Sequence, residues 1–507
     1  MTVGELLRAF ARSMPPHEQP VIRGDAALDV PCTGVTHDSR DVAPGTVFVG
    51  LRGLKADGAA FAPQAIAAGA AAVVAEERST VPAGGAAVPW VEVKDARLAL
   101  ALLSAEFFGH PSRQMQVVGI TGTNGKTTTS YLVNAIFEAA GVACGLMGTV
   151  TYRIGAQAFE ATRTTPEAPE LQGFMRRMVD AGCGACVMEV SSHALALRRA
   201  DGIQFAAGIF TNLTRDHLDF HSDMEGYFTA KRRLFEMLPR SAPASINMDD
   251  PRGASLVETA GRPVTYAIYK PADVSPGPLT FSLDGLRFEV RTPQGIVRVN
   301  SRLVGKPNVY NILAAVSTTA ALGLPIEAIE RGLTGLQGVP GRFEVASADA
   351  DDITVIVDYA HTDDALRNLL ETARAMATRR LITVFGAGGD RDRTKRPLMG
   401  MVAARLSDVV VITSDNPRHE DPLRIIEEVK LGAEAEARQS NAAVLANPDR
   451  REAILAAVKT ASANDVVLVA GKGHEKYQEI AGRTFPFDDV AVAREGLEAR
   501  RVKSRAV

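Results

Sequence analysis

Cysteines, net charge and long apolar runs are all scarce in this sequence. Its 507 residues include four cysteines, a low content that is typical of a protein in a reducing compartment. Cys183 and Cys186 form a C-x-x-C pair, but no second pair exists to complete a zinc site, so we expect both to be buried structural residues. The formal net charge of −3 gives no sign of a surface that binds nucleic acid.

A membrane segment and a secretion signal are also lacking. The longest apolar run covers residues 67–75 and is far too short to span a bilayer. The N-terminal segment carries acidic and basic residues inside its apolar stretch and has no signal-peptide core. We therefore expect a cytoplasmic protein that binds neither membranes nor nucleic acid.

Strand-like runs alternate with helical patterns almost throughout the chain. This alternation predicts an α/β fold with mainly parallel sheets. The chain is too long for one hydrophobic core. A helical segment predicted from Asp95 to Phe108 leads into a new strand and places a boundary near residue 95, and a linker near residue 341 completes a prediction of three domains. These domains cover residues 1–95, 96–341 and 342–507. Between residues 279 and 304, Asp-Gly and Gln-Gly turns predict an antiparallel addition.

The segment GITGTNGKTTT, residues 119–129, almost fits the standard phosphate-binding loop G-x-x-x-x-G-K-[ST]. The first glycine of that pattern should fall at Ile120, whereas the glycines stand at 119 and 122. A strand-like run precedes the segment and a helical pattern follows it, which is the context that phosphate binding requires. Lys126 would then supply a charge and Thr127 a hydroxyl for Mg²⁺. The alternative is a glycine-rich turn before an amphipathic helix.

A second polar segment, MEVSSH, ends another apolar strand at residues 188–193. Glu189 has Val187 and Val190 as apolar neighbours, and a buried carboxylate there needs a cation such as the Mg²⁺ bound to ATP. Ser191 and His193 would face the same crevice. The alternative is a glutamate that alternates outward from the strand.

Two aspartates and two histidines crowd into residues 216–221. Asp216, His217, Asp219 and His221 suggest contacts with a metal or with phosphate, although a solvated polar helix entry has the same composition. Lys231 follows on a predicted helix, where an isolated lysine normally faces solvent. From these residues alone, both interpretations remain open.

Four apolar strands in the last third of the chain end in glycines and charges. The ends read DYAH from residue 358, GAGGDRDR from 386, SDNPRHEDP from 414 and GKGHE from 471. Ligands bind outside the carboxyl ends of strands in open parallel sheets, so this repetition predicts a ligand crevice. Arg391 stands where the third glycine of G-x-G-x-x-G belongs, which argues against a dinucleotide site of the usual kind.

Taken in order, these motifs resemble those of the Mur ligases. GTNGKTTT, MEVSSH, NLTRDHLDFH, KPNVYNILAA, PGRFE, VDYAHT and GKGHE follow the family order from about residue 118 to 475, and THDSR and LKADG extend the resemblance over essentially the whole chain. The family consists of ATP-dependent amide ligases of peptidoglycan synthesis. The resemblance implies an N-terminal UDP-substrate domain, a central P-loop ATPase-type domain and a C-terminal Rossmann-like domain that binds an amino acid.

THDSR, TRTTPE and SDNPRHEDP are similar to the members that add meso-diaminopimelate to UDP-N-acetylmuramoyl-L-alanyl-D-glutamate. Relatives that add lysine typically replace the arginine of D-N-P-R, which is Arg418 here. Meso-diaminopimelate is lysine with one further carboxylate, and a guanidinium can hold a carboxylate through two parallel hydrogen bonds. Lysine would leave this arginine unpaired, at a cost on the order of 1–3 kcal/mol.

The resemblance also implies which residues bind the nucleotide and the metal. The catalytic residues would be Lys126, Glu189, His217 and Lys231. ATP would contact Gly122, Thr123, Asn124, Gly125, Lys126, Thr127, Thr128, Asn308, Arg342 and Asp358. Two Mg²⁺ ions would be held by Thr127, Glu189, His217 and Lys231, the last carrying a carbamate derived from CO₂.

The two other substrates would bind at separate sets of positions. The UDP-sugar peptide would contact His37, Ser39, Leu54, Lys55, Ala56, Thr164, Thr165, Ser191 and Arg199. Diaminopimelate would contact Arg391, Asp415, Asn416, Pro417, Arg418, Gly471 and Glu475. The chain departs from the family at Leu197, usually glutamine, and at Asp363, where proline is common, which should affect a substrate hydrogen bond and loop stiffness respectively.

The implied reaction is an amide ligation through an acyl phosphate, carried out by a monomer whose domains close over the substrates. Alternatives within the superfamily are a lysine-adding ligase or a folylpolyglutamate synthetase, whose loop usually ends G-K-G-S. Alternatives of other classes are a P-loop kinase, which would release a phosphorylated product, and a non-catalytic nucleotide switch or scaffold.

Overall fold

The computed structural model describes residues 1–23, 28–53, 57–77, 88–282 and 285–505. Within these residues, three large sheets follow one another along the chain and are flanked by helices. None of the described helices combines the length and the apolar composition needed to cross a bilayer. The α/β class and the predominance of parallel strands are therefore confirmed.

The first sheet has the strand order β1-β5-β4-β3-β2. Strands β2 to β5 are parallel, and β1 pairs with β5 in the antiparallel direction. Its strands are β1 Val21–Arg23, β2 Gly34–Thr36, β3 Thr46–Val49, β4 Ala72–Glu76 and β5 Trp90–Val93. The helices are α1 Val3–Ser13, α2 Ala62–Ala67 and α3 Ala96–Phe107.

Helix α3 begins where the sequence predicts it, because the carboxylate of Asp95 accepts hydrogen bonds from the N–H groups of Arg97 and Leu98, both at 3.0 Å. Its residues from Ala96 to Leu103 pack with α1 and with the first sheet in one apolar core. The domain boundary near residue 95 stays a prediction, and this packing favours placing α3 with the N-terminal domain.

The second sheet has eight strands in the order β13-β12-β11-β6-β10-β7-β8-β9, of which β13 to β7 are parallel and β8 and β9 form an antiparallel edge. They are β6 Gln116–Thr121, β7 Cys144–Met147, β8 Thr151–Ile154, β9 Gln157–Glu160, β10 Ala185–Glu189, β11 Ala207–Phe210, β12 Pro243–Asn247 and β13 Arg262–Tyr266. Cys183 and Cys186 are buried here, as expected.

An antiparallel sheet follows, as the turns between residues 279 and 304 predict. Strand β16 pairs with β14, β15 and β17. The predicted Gln-Gly turn connects β16 to β17, with Gln294 in the turn and Gly295 as the first residue of β17, whereas the other predicted turn includes residues outside the described ranges. The strands are β14 Ser275–Pro276, β15 Thr280–Ser282, β16 Gly285–Thr292 and β17 Gly295–Ser301.

Eight helices of this region surround the second sheet. Helices α4 and α10 both pack on the sheet and against each other, and α11 packs on α4, so that Ile136, Ile312 and Ile329 share one core. The helices are α4 Lys126–Ala139, α5 Ala168–Asp180, α6 Ser192–Ala196, α7 Leu218–His221, α8 Met224–Glu236, α9 Gly253–Thr259, α10 Lys306–Ala321 and α11 Ile326–Gly335.

The third sheet has the order β18-β19-β23-β20-β21-β22, and all its strands except β18 are parallel. The strands are β18 Glu344–Val345, β19 Thr354–Asp358, β20 Leu381–Phe385, β21 Val409–Ile412, β22 Ala443–Ala446 and β23 Val466–Ala470. A separate hairpin consists of β24 Tyr477–Ile480 and β25 Arg483–Pro486. The helices are α12 Asp363–Met376, α13 Lys395–Leu406, α14 Pro422–Ser440, α15 Arg450–Thr460 and α16 Asp489–Arg505.

The four strands singled out by sequence are therefore neighbours, in the order β19-β23-β20-β21. Because they are parallel, their polar carboxyl ends lie side by side at one edge of the sheet. The position expected for a ligand crevice is present.

Candidate active site

The phosphate loop connects β6 to α4, and two of its glycines are required by their surroundings. Gly122 has φ +149°, and a Cβ there would lie 1.8 Å from Oγ1 of Thr211. Gly125 has φ +85°, and a Cβ there would lie 2.3 Å from Oδ1 of Asn311. The loop leads directly into the N-terminus of α4, whose free N–H groups favour an anion.

A half-buried lysine and a buried lysine meet at this loop. The ammonium of Lys126 donates to the carbonyls of Gly122 and Thr123 at 2.9 and 2.8 Å. Lys231, on α8, donates to the same Gly122 carbonyl at 2.7 Å and lies 4.3 Å above the ring of Tyr227. Lys231 is only 1% exposed, so the interpretation as a solvent-facing helical lysine is wrong. Burial lowers the pKa of both lysines.

Glu189 ends β10 and is 1% exposed, which excludes the alternative of an outward-facing side chain. Its carboxylate accepts hydrogen bonds from the backbone N–H and the hydroxyl of Thr149, at 2.9 and 3.0 Å. A Cβ on Gly148 would lie 2.4 Å from Oε1, so the glycine leaves room for this carboxylate. Glu189 is thus held on the sheet edge that carries the phosphate loop.

Histidine side chains gather next to these residues. The rings of His193 and His217 have centroids 4.8 Å apart, and Nε2 of His221 lies 2.9 Å from Oγ of Ser192. Burial lowers the pKa of His217 to about 3, although the Asp216 carboxylate is 3.5 Å away, and lowers that of His221 to about 4. Both rings are therefore neutral at pH 7 and have a nitrogen lone pair for a ligand.

The chemistry of these donors fits magnesium. Among the described residues, no three His, Cys, Asp or Glu side chains form a metal site by themselves. Magnesium in nucleotide sites is typically held by one or two protein carboxylates, with water and substrate phosphates completing the shell. The Glu189 carboxylate and the Thr127 hydroxyl offer such oxygen ligands, and the neutral ring of His217 adds one nitrogen to this incomplete set.

Asn308, at the start of α10, belongs to an amide chain that reaches the phosphate loop. Its side chain donates to the Val304 carbonyl at 2.7 Å and accepts from Nδ2 of Asn311 at 2.9 Å. Oδ1 of Asn311 in turn accepts from the hydroxyl of Thr129 at 3.3 Å. Asn308, a predicted nucleotide contact, is therefore connected to the loop through one intervening side chain, that of Asn311.

Arg342 and Asp358 come from the third domain. Nη2 of Arg342 donates to Oγ1 of Thr127 at 3.1 Å, and its guanidinium lies 4.5 Å above the ring of Tyr359. Asp358 accepts N–H hydrogen bonds from Phe343 and from residue 360, both at 2.7 Å, while burial raises its pKa. Arg342 therefore touches the predicted nucleotide site directly, whereas Asp358 orders the backbone behind it.

Four of the predicted UDP-substrate residues form one group. The Thr165 hydroxyl donates to the Glu189 carbonyl at 2.9 Å and accepts from the N–H of Ser191 at 3.1 Å. Arg199 donates to the Thr165 carbonyl at 3.1 Å, and Oγ1 of Thr164 lies 3.1 Å from that of residue 149. This group adjoins Glu189, where a substrate carboxylate would have to meet ATP.

The remaining predicted UDP-substrate residues lie on the first domain. His37 and Ser39 follow β2, and within the described ranges no hydrogen bond or ion pair joins them to the Thr165 group. Leu54, Lys55 and Ala56 lie outside the described residues. Leu197 lines a small cavity together with Leu51, Glu167 and Arg199, so an apolar side chain occupies the position where glutamine is common.

The predicted diaminopimelate residues come together at the strand ends of the third sheet. Asp415 is 8% exposed, and its Oδ2 has no hydrogen-bond partner within the described part of the chain. A Cβ on Gly471, which has φ +115°, would lie 2.5 Å from that oxygen. Nδ2 of Asn416 donates to Glu475 at 2.9 Å. An unpartnered buried carboxylate of this kind is suited to an ammonium group.

Arg418 has an unusual backbone conformation for a residue other than glycine, with φ +53°. Its N–H donates to the Glu479 carbonyl at 3.0 Å, so strand β24 fixes this conformation. Its guanidinium donates to the Gly389 carbonyl at 2.7 Å and lies 3.3 Å from the Glu479 carboxylate. Pro417 precedes it, and Arg391, which is exposed, lies across Gly388 from it.

The central and third domains contact each other between the two sites. Nδ2 of Asn124 donates to Asp364 at 3.1 Å, and Arg215 forms an ion pair with Asp392 at 3.3 Å. Arg215 also donates to the hydroxyl of Thr394. The phosphate loop and the loop that carries Arg391 are thereby brought together.

Several residues of this site were not selected from the sequence. Lys472 is fully buried and donates to Asn416 and Glu475 at 2.8 and 3.0 Å, and Gln478 donates to the Asp415 carbonyl at 2.8 Å. A lysine two residues after a buried strand was a usable signal for Lys472. No comparable signal marks Gln478 or Glu479, because their polar strand resembles an ordinary surface segment.

A phosphate loop on one sheet that faces the strand ends of another defines a multidomain nucleotide-binding α/β protein. Residues 31–108 match the description "Mur ligase family, catalytic domain", residues 120–319 "Mur ligase middle domain", and residues 341–473 "Mur ligase, glutamate ligase domain". The chain belongs to the Mur ligase family.

Among curated relatives, proteins named UDP-N-acetylmuramoyl-L-alanyl-D-glutamate–2,6-diaminopimelate ligase are similar over nearly the full length. The protein from Gloeobacter violaceus is 48% identical over 93% of this chain and 95% of its own. That from Geobacter metallireducens is 48% identical over 95% and 96%. A solved structure of a ligase with the same name has a TM-score of 0.69 and 33% identity and covers 99% of both chains. The MurF ligase from Thermotoga maritima, in complex with ADP, shares the fold at TM-score 0.62 and 19% identity over 93% and 98%.

Proposed function

We propose that this protein is an ATP-dependent ligase that joins meso-diaminopimelate to UDP-N-acetylmuramoyl-L-alanyl-D-glutamate in peptidoglycan precursor synthesis. The observation that carries the proposal is the contact between two sites, a phosphate loop with Lys126 and Lys231 and a crevice with Asp415 and Arg418. The relatives that share 48% identity carry the name of this activity.

The reaction has two steps. The γ-carboxylate of the D-glutamate attacks the γ-phosphorus of ATP, which forms an acyl phosphate and releases ADP. The amine of diaminopimelate then attacks the acyl carbon, loses a proton, and expels phosphate as the amide forms. Both steps bring anions together, so positioning and neutralisation of charge supply most of the rate enhancement.

The central domain would act on the phosphates. Gly122 to Thr128 would hold them with backbone N–H groups, and Lys126 would release its carbonyl partners to contact the γ-phosphate. Asn308, Arg342 and Asp358 would hold the rest of the nucleotide. Thr164, Thr165, Ser191 and Arg199 would place the substrate carboxylate beside Glu189.

Thr127, Glu189, His217 and Lys231 would hold Mg²⁺, and the ions would neutralise the phosphate oxygens. Lys231 has the burial that favours an uncharged amine, which is the form that reacts with CO₂ to give a carbamate. A carbamate would replace a buried cation by an oxygen ligand. We therefore include the modified lysine and two ions in the proposal.

The third domain would recognise the amino acid. Asp415 would accept an ammonium group, and Arg418 would bind the carboxylate that distinguishes diaminopimelate from lysine. Arg391, Asn416, Gly471 and Glu475 would complete the crevice. Since each site is built within one chain, we further infer a monomeric enzyme. Synthesis of peptidoglycan precursors, the role implied by the names of the relatives, would place it in the cytoplasm.

The test is release of phosphate from purified protein with Mg-ATP and UDP-N-acetylmuramoyl-L-alanyl-D-glutamate. We expect release with meso-diaminopimelate and little with L-lysine. Release with lysine instead would support a ligase but would contradict the role proposed for Arg418. No release with either amino acid, despite ATP binding, would refute the proposal and favour another ligase or a non-catalytic switch.

A further inference from the structure

A buried ion pair lies directly behind the amino-acid crevice. Arg450, the first residue of α15, and Asp489, the first residue of α16, have fully buried side chains. Nε and Nη2 of Arg450 donate to the two carboxylate oxygens of Asp489, at 2.8 and 2.7 Å. The pair is therefore bidentate and shielded from water.

The same guanidinium also holds two strand ends. Nη1 donates to the Ser414 carbonyl at 3.2 Å, and Nη2 donates to the Ala470 carbonyl at 3.0 Å. Ala470 ends β23 and Ser414 follows β21, and these strands are separated in the sheet by β20. Arg450 thus spans three strands and fixes the distance between the outer two.

The residues that follow these two carbonyls are both in the crevice. Asp415 comes directly after Ser414, and Gly471 comes directly after Ala470. The available space between Asp415 and Gly471 is already small, since a Cβ on the glycine would lie 2.5 Å from Oδ2. A change in the separation of the strand ends would therefore move the carboxylate that faces the ligand.

We propose that Arg450 and Asp489 are a positioning pair for the amino-acid site, which sets the spacing of Asp415 and Gly471 and hence the affinity for diaminopimelate. This inference rests on the proposed function. Neither residue would touch the substrate. The positive charge of Arg450 also favours the ionised form of Asp415. Burial alone would raise the pKa of Asp415, whereas Lys472 and Arg450 together hold it below its ordinary value.

A purely structural role is the competing explanation, and paired substitutions separate the two. Removal of one partner leaves a buried charge and destabilises the fold, whereas replacement of both by apolar residues of similar volume restores much of the stability. The decisive variant is therefore Arg450→Met combined with Asp489→Leu. Its thermal midpoint should lie well above that of Arg450→Met alone.

In that double variant we expect the KM for meso-diaminopimelate to rise about tenfold or more, because a small misplacement of a binding group is costly. The KM values for ATP and the UDP-linked substrate should stay within about twofold of the wild-type values. A KM for diaminopimelate that returns to the wild-type value with the recovered stability would overturn the proposal.

The chain offers a matched control. Arg451 and Glu495 join the same two helices at 2.5 Å but have half-exposed side chains, and within the described residues Arg451 makes no side-chain hydrogen bond to a strand end. The double variant Arg451→Met with Glu495→Leu should leave every KM unchanged. If it raised the KM for diaminopimelate as much, the effect would belong to the helix packing and the proposal would fail.

Arg450→Lys provides a second measurement if the apolar double variant does not fold. Lysine keeps the charge but cannot bind a carboxylate and two carbonyls in one plane. A raised KM for diaminopimelate would support the positioning role, and an unchanged KM would refute it. Wild-type protein that showed no diaminopimelate-dependent phosphate release would refute the proposed function instead, before any variant is compared.

Discussion

The two halves of the active site hold their cations in opposite ways. In the phosphate loop, Lys126 and Lys231 donate to backbone carbonyls, and no carboxylate pairs with either within the described residues. In the amino-acid crevice, Lys472 pairs with Glu475 at 3.0 Å, and Arg418 lies 3.3 Å from a carboxylate of the neighbouring hairpin.

This difference matches the ligands that we propose. ATP brings several negative charges, so the ammonium of Lys126, which has no carboxylate partner among the described residues, gains its counter-charge when the nucleotide is bound. Diaminopimelate is a zwitterion, with ammonium and carboxylate groups in equal number, so its site needs paired charges that are already balanced. Ligand binding at the phosphate loop should therefore depend mainly on total charge, and binding at the amino-acid crevice mainly on geometry.

The largest effect should follow the loss of an uncompensated cation. We expect Lys126→Ala to lower the rate of phosphate release about a thousandfold or more, because the transferred phosphoryl group loses its main positive contact. Binding of diaminopimelate, measured by calorimetry, should change little. Lys459→Ala, at an exposed position on α15, is the control. Normal turnover of Lys126→Ala would contradict the assignment of the loop.

Removal of a paired cation should instead change selectivity. We expect Arg418→Ala to lower kcat/KM for meso-diaminopimelate about a hundredfold, with a much smaller change for L-lysine, because one substrate carboxylate and the Glu479 carboxylate lose their partner. Competition assays with both amino acids measure this ratio. Arg424→Ala, an exposed arginine of the next helix, should leave it unchanged. A preference that survives in Arg418→Ala would show that this arginine does not read the carboxylate.

A change of geometry that leaves the charge unchanged should also affect binding in the amino-acid crevice. We expect Gly471→Ala to raise the KM for diaminopimelate about tenfold and to lower the unfolding free energy by about 1–3 kcal/mol, because the new methyl group meets Asp415 at a strained φ. Gly141→Ala is the control for backbone strain alone, since φ is +79° there and nothing lies within 4 Å. Equal KM values for the wild type and Gly471→Ala would contradict the close approach.

The smallest effect concerns a histidine between the two sites. Burial lowers the pKa of His474 from its ordinary value of 6.5 to about 3. Between these pH values the unfolded chain takes up a proton that the folded protein does not bind, so this residue lowers stability as the pH falls through the window. In His474→Asn, proton uptake on unfolding at pH 5 should decrease by about one.

The control for this measurement is His17→Asn, because the His17 side chain is 76% exposed. Thermal midpoints between pH 7 and about pH 4 give the slopes to compare. If His474→Asn and the wild type lost stability in parallel, His474 would not be buried in its neutral form.

The sequence predicts site residues inside local motifs better than it predicts residues that hold the site in place from distant segments. Lys126 and Glu189 were identified because a motif or an apolar neighbourhood surrounds them in the chain. Arg450 gave no such signal, since its partners stand 20 to 39 positions away in sequence. Pairing between distant segments depends on the order of strands in the sheet, which periodicity does not determine.

The domain limits stay predictions, and helix α3 shows why such limits are hard to place from sequence. Helix α3 was assigned to the central domain because it leads into β6, yet its apolar face packs on the first sheet. Which sheet receives a helix depends on three-dimensional packing, and the amphipathic pattern is identical for both. By contrast, the linker predicted near residue 341 depends only on local residues, Pro340 and Gly341.

The hairpin of β24 and β25 has a consequence for attempts to change the amino acid that the enzyme accepts. The N–H of Arg418 donates to the carbonyl of Glu479, and the carbonyl of Arg418 accepts from the N–H of Ala481 at 2.6 Å. The backbone of D-N-P-R is thus shaped by a segment some 60 residues later. Grafting a new D-N-P-x sequence alone would change the side chains but would not supply the hairpin that fixes the backbone conformation. Exchanging both segments together is more favourable, because the new motif then keeps a matching hairpin. Relatives that use a different amino-acid substrate would be expected to differ in both segments.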